Sequence, residues 1–109
     1  MPFIHVDEEN FDEIIAAEFA KENTVILKFG STYCDSCQIM EFELGEVHER
    51  LTNISILDID STLCESLVYR FMVEQVPTTL IFKNEETQLL YKSGIMLADD
   101  IVDLILKER

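Results

Sequence analysis

Apolar residues along the chain fall into blocks of two different periods. Phe3-Ile4-His5-Val6 predicts a short strand. Phe11, Ile14, Ile15, Glu18 and Phe19 recur at helical spacing, with Glu18 as the polar interruption of the stripe. Asp7 reads as an N-cap, and Glu8 and Glu9 would occupy a first turn that favours acids, so a helix is expected over 7–22. Thr24-Val25-Ile26-Leu27-Lys28-Phe29 is nearly continuous apolar and β-branched, the mark of a strand covered on both faces. Gly30-Ser31-Thr32-Tyr33 ends it.

From Cys37 onward Met40, Leu44, Val47 and Leu51 repeat as one side of a helix, while Glu41, Glu43, Glu46 and Glu49 read as its solvated side. Asn53 to Asp60 predicts a third strand. Ser61 or Thr62 is then placed to cap a helix reaching Met72, with Leu63, Leu67, Val68 and Phe71 turned inward. Thr79–Lys83 and Thr87–Lys92, joined by Asn84-Glu85-Glu86, form a hairpin. A last helix from Leu97 to Lys107 buries Ile101, Leu104 and Ile105. The order βαβαβαββα predicts an α/β fold with a central mixed sheet and helices on both faces. With three glycines, two prolines and no repeat, 1–109 reads as one domain with short connections.

The charge balance narrows the function. Among 109 residues, 22 acids face 8 bases, for a formal net charge of −14. A nucleic-acid ligand needs a basic footprint, and an anionic membrane surface would repel this chain. No apolar run approaches the ~18 residues that span a bilayer. Residues 1–9 carry no basic segment followed by an apolar run, so a soluble, cytoplasmic protein is expected.

Three cysteines are too few for a disulfide scaffold. Cys34 and Cys37, three residues apart, stand where a strand ends and a helix begins. The unpaired N–H groups of a helix's first turn favour a thiolate there, the nucleophile of disulfide exchange. Cys34, at the exposed end, would attack a substrate disulfide, and Cys37, one turn in, would resolve the mixed disulfide. A zinc site is the weaker alternative, because His48 lies about 16 Å along the same helix from Cys37. A pair of inert core cysteines is the other. Cys64 stands alone as a structural thiol. Pro77, in Gln75-Val76-Pro77-Thr78-Thr79, opens a strand.

Taken together the chain resembles the thioredoxin family from about Ile4 to Leu106. The residues that carry the likeness are Asn10-Phe11-Asp12-Glu13, Leu27-Lys28-Phe29, Tyr33-Cys34-Asp35-Ser36-Cys37, Val76-Pro77-Thr78 and Gly94. The strand and helix ahead of Thr24 separate it from glutaredoxins. The resemblance implies a cis Pro77 beside the cysteines, and a substrate site in which the Val76 backbone pairs with the substrate chain next to Tyr33 and Pro77. It further implies recharging by an NADPH-linked thioredoxin reductase; disulfide-containing protein substrates and a monomer without cofactor or metal are expected. The alternative is a thioredoxin-fold protein-binding module whose pair is inert or merely redox-responsive.

The chain departs from the family pattern at defined positions. Tyr33 stands for the usual Trp, Asp35-Ser36 for Gly-Pro, Gln38 for a basic residue, and Phe42 for a helix-kinking proline, so a straighter second helix is expected. The charge of Asp35 should raise the thiol pKa beside it. Lys28 replaces a buried Asp. Either it snorkels to the surface, or it stabilises a thiolate on Cys34 or Cys37, or it pairs with Asp58 on the next strand.

Overall fold

A computed structural model describes residues 2–109. The chain runs β1 (Phe3–Val6), α1 (Phe11–Ala20), β2 (Thr24–Gly30), α2 (Asp35–Arg50), β3 (Ile54–Asp60), α3 (Glu65–Arg70), β4 (Thr78–Asn84), β5 (Thr87–Ser93) and α4 (Ala98–Lys107). The βαβαβαββα order expected from periodicity is the order found. The sheet is ordered β1-β3-β2-β4-β5, with β1 and β2 parallel to β3, and with β2–β4 and β4–β5 antiparallel. β2 lies in the middle, and all seven of its residues are buried, as its continuous apolar run requires.

Alternation along the strands divides the core in two. Val25, Leu27 and Phe29 pack with Leu57, Ile59, Leu80, Phe11 and Leu67 on one face. Ile26 packs with Ile56, Ile81, Met40, Leu44, Val47, Ile101 and Ile105 on the other. Lys28 and Gly30 therefore share the face of Ile26, beneath α2.

Three local expectations are corrected. First, α1 begins at Phe11, because the Asp7 carboxylate accepts the N–H groups of Glu9 and Asn10 and closes a turn, leaving Asn10 as N-cap. Second, α3 begins only at Glu65. The N–H and hydroxyl of Thr62 donate to Asp60, and the Ser61 N–H and hydroxyl to the Gly30 carbonyl, so these residues bind β2 and β3 rather than a helix. The N–H of Ser66 instead donates to Glu8, 2.7 Å away. Third, Leu63 lies in that loop and is 74% exposed rather than inward. Glu18, the gap in the α1 stripe, is buried and accepts from the Ser55 hydroxyl and the Lys21 ammonium.

Candidate active site

The chain leaves β2 at Gly30, crosses Ser31 to Tyr33 and enters α2 with Cys34 as N-cap. Cys34 and Cys37 form a disulfide with their Cα atoms 5.2 Å apart. The N–H of Cys37 donates to Cys34 Sγ at 3.1 Å, and the Ser36 hydroxyl lies 3.6 Å from the same sulfur. Sγ of Cys34 thus occupies the capping position, where the first-turn amides favour negative charge. Cys34 is partly exposed and Cys37 only 2% exposed, the asymmetry expected of an attacking and a resolving thiol. Tyr33, fully exposed, stands beside the pair. Asp35 is exposed in the first turn.

Val76 and Pro77 precede β4. The peptide between them is cis. Thr78 pairs with Phe29 across β2 and β4, so Pro77 sits at the end of the sheet from which the cysteine loop departs. The Pro77 carbonyl accepts from the N–H of Gly94 at 2.8 Å, and Gly94 adopts φ 86°, a conformation that glycine alone takes readily. The Thr78 hydroxyl donates to the Gln75 carbonyl, closing the loop from the other side. The N–H and carbonyl of Val76 bond to none of the described residues, which leaves a short backbone edge open for a strand-like partner.

Lys28 does not snorkel. It is 3% exposed, with Nζ 2.9 Å from Glu41 Oε1 and 3.1 Å from Asp58 Oδ1. The pairing with Asp58 is formed, and Glu41 is an added partner. Glu41 had read as part of a solvated face. Its spacing of four from Cys37, which puts both on one side of α2, was the signal available in the sequence. His5 Nδ1 lies 3.1 Å from the other Asp58 oxygen. These side chains line a cleft of about 460 Å³ that also borders Gly30, Ser31, Thr32 and Asp60. Among the described residues no cluster suits a metal ion. Cys64 is buried away from the pair in the opposite core, and burial pushes its thiol pKa up.

The cysteine pair at the α2 N-terminus and the cis-proline loop thus lie at the same end of a five-stranded α/β sheet. The thioredoxin family model matches residues 2–107. Chloroplastic thioredoxin Y of Oryza sativa subsp. japonica is 37% identical over 76 residues, covering 69% of this chain and 44% of that protein. Thioredoxin 2 of Plasmodium falciparum (isolate 3D7) is 28% identical over 101 residues, covering 92% and 64%. The crystal structure of chloroplastic thioredoxin z superposes with a TM-score of 0.84 at 22% identity, covering 98% of this chain and 94% of that one. This chain belongs to the thioredoxin family. It spans about half the length of the curated relatives it matches.

Proposed function

We propose that this protein reduces disulfides in protein substrates. The observation that carries the proposal is Cys34 Sγ at the α2 N-cap, partly exposed and hydrogen-bonded by the Cys37 N–H at 3.1 Å. The Cys34 thiolate attacks one sulfur of a substrate disulfide, and the second substrate sulfur leaves as a thiolate. Cys37, as thiolate, then attacks Cys34 Sγ. The Cys34–Cys37 disulfide forms, the first substrate sulfur is released, and two electrons have passed to the substrate. Tyr33 and Pro77 flank the substrate segment, which pairs with the open backbone of Val76. Asp35 opposes the Cys34 thiolate, and Lys28 with Asp58 sets the charge behind Cys37.

Re-reduction by an NADPH-linked thioredoxin reductase, a monomeric state and a cytoplasmic location belong to the same proposal. A reducing compartment suits a protein that works as a dithiol. The test is a titration against glutathione and dithiothreitol buffers with thiol trapping and mass spectrometry. A reversible two-electron couple confined to Cys34 and Cys37, together with reduction of a disulfide-bonded protein by the dithiol form, is expected. A folded protein without such a couple overturns the proposal and leaves a binding module.

A further inference from the structure

Four polar side chains lie in register across one face of the sheet. His5 on β1 faces Asp58 on β3, Asp58 faces Lys28 on β2, and Lys28 faces Thr79 on β4. Helix α2 covers this row with Cys37 and, one turn further on, Glu41. A Cβ added to Gly30 would sit 2.9 Å from Lys28 Nζ and 3.5 Å from Cys37 Cβ. Glycine therefore leaves one narrow space between the ammonium and the buried cysteine.

In the disulfide, the Cys37 sulfur is neutral and Lys28 is neutralised by Glu41 and Asp58. Resolution requires Cys37 to become a thiolate at a site only 2% exposed, and a buried anion is costly unless it is paired. The cleft lined by Lys28 on β2 and Glu41 on α2 also carries Asp58 and Asp60 on β3, His5 on β1 and Asp7 after β1, while Asp35 lies on α2 two residues before Cys37. β4 contributes only the Thr79 hydroxyl to this row. Lys28 is the fixed cation of the set.

We propose that Lys28 is the counter-ion of the Cys37 thiolate and exchanges partners with redox state, holding Glu41 in the disulfide and Cys37 in the dithiol. This inference rests on the oxidoreductase reading above. Glu41 is the partner able to let go, because its side chain is 44% exposed and water replaces the ammonium. Asp58, at 17%, keeps hold in both states. The Thr79 hydroxyl is buried and has no partner among the described residues in the disulfide. A thiolate forming beside Lys28 would give that idle donor an anion to serve. Ionisation of Cys37 releases its proton to solvent, and the same thiolate then attacks Cys34 Sγ.

The experiment is an NMR titration of the three cysteine Cβ shifts in the reduced full-length protein, repeated for Lys28→Met and Glu41→Gln. Lys28→Met should raise the Cys37 pKa by about one unit or more, a tenfold loss of thiolate near neutral pH. Glu41→Gln removes the competing carboxylate and should lower it. Oxidation of the wild-type protein should also shift the Glu41 carboxyl resonance as the ion pair re-forms. A Glu41→Gln variant with an unchanged or raised Cys37 pKa overturns the proposal, even if Lys28→Met fails to fold. Cys34 and Cys37 titrate as a coupled pair, so the comparison is made on both macroscopic steps. Absence of any Cys34–Cys37 redox couple would instead sink the oxidoreductase reading itself. A normal couple with unresponsive Cys37 acidity would sink only the partner exchange.

Discussion

The Lys28 ammonium lies 3.1 Å from the Asp58 carboxylate, its register partner on the neighbouring strand, and both face the helix that begins at the cysteines. The two carboxylates around Lys28 are not equivalent, since Asp58 is mostly buried and Glu41 half exposed. Removing Asp58 leaves a buried cation with one solvent-screened partner. Asp58→Asn should therefore cost about 3 kcal/mol. Glu41→Gln should cost less than about 1 kcal/mol. Urea unfolding of the oxidised variants at neutral pH measures both, and equal losses would contradict this ranking.

Glu18 ties α1 to the start of β3. It accepts from Lys21 at 2.8 Å and from the Ser55 hydroxyl at 2.6 Å, while Asn23 donates to the same hydroxyl at 2.9 Å. The Lys21 ammonium first, then Ser55, holds the carboxyl below the ordinary glutamate range. A lowered folded-state value stabilises the protein above the unfolded-state pKa, and the contribution is lost as pH falls through the folded-state value. Glu18→Gln should cost about 2 kcal/mol at pH 7, and the gap to wild type should close in acid. Urea midpoints measured across that pH range would show a constant gap if the charge were irrelevant.

Beyond the C-cap of α1, Glu22 adopts φ 64°, the Glu22 N–H donating to Phe19 and the Asn23 N–H to Glu18. This is a Schellman closure with a non-glycine residue in the left-handed position. Glu22→Gly should raise stability by roughly 0.5–1 kcal/mol after the entropy that glycine adds to the unfolded chain. A lower thermal midpoint for the variant would contradict the expectation.

Asp35 puts a carboxylate in the first turn of α2, beside the sulfur that caps it. Asp35→Asn should lower the Cys34 pKa and speed its alkylation by iodoacetamide below pH 8, by about threefold to tenfold. Cys64, buried and with its thiol pKa pushed up, should label slowly in both proteins. Mass spectrometry of the trapped thiols reads all three sites, and equal rates at Cys34 and Cys64 would argue against an activated nucleophile.

Element order, the central place of β2 and the position of the cysteine pair were legible because they follow from local patterns. A continuous apolar run has one solution in a sheet covered on both faces, and a CxxC at a strand–helix junction places its first sulfur on unpaired amides. The misplaced starts of α1 and α3 share one cause. Asp7, Asp60, Ser61 and Thr62 have side chains that serve a turn as readily as a cap, and only their neighbours decide which. Thr62 found Asp60, Ser61 found Gly30, and a carboxylate from a distant loop, Glu8, reached α3 in their place.

The sequence by itself determined the family, the cysteine pair at the start of α2 and the presence of an inverted charge at position 28. It could not determine what that charge meets. The cluster of His5, Asp58, Lys28, Thr79 and Glu41 is assembled by parallel and antiparallel register between strands far apart in the chain, and by the way α2 lies across them. Periodicity reports which side of an element is covered, but the partner across the gap is chosen by strand order. For that reason Glu41 read as solvent-facing in one dimension and is an ion-pair partner of a buried lysine in three.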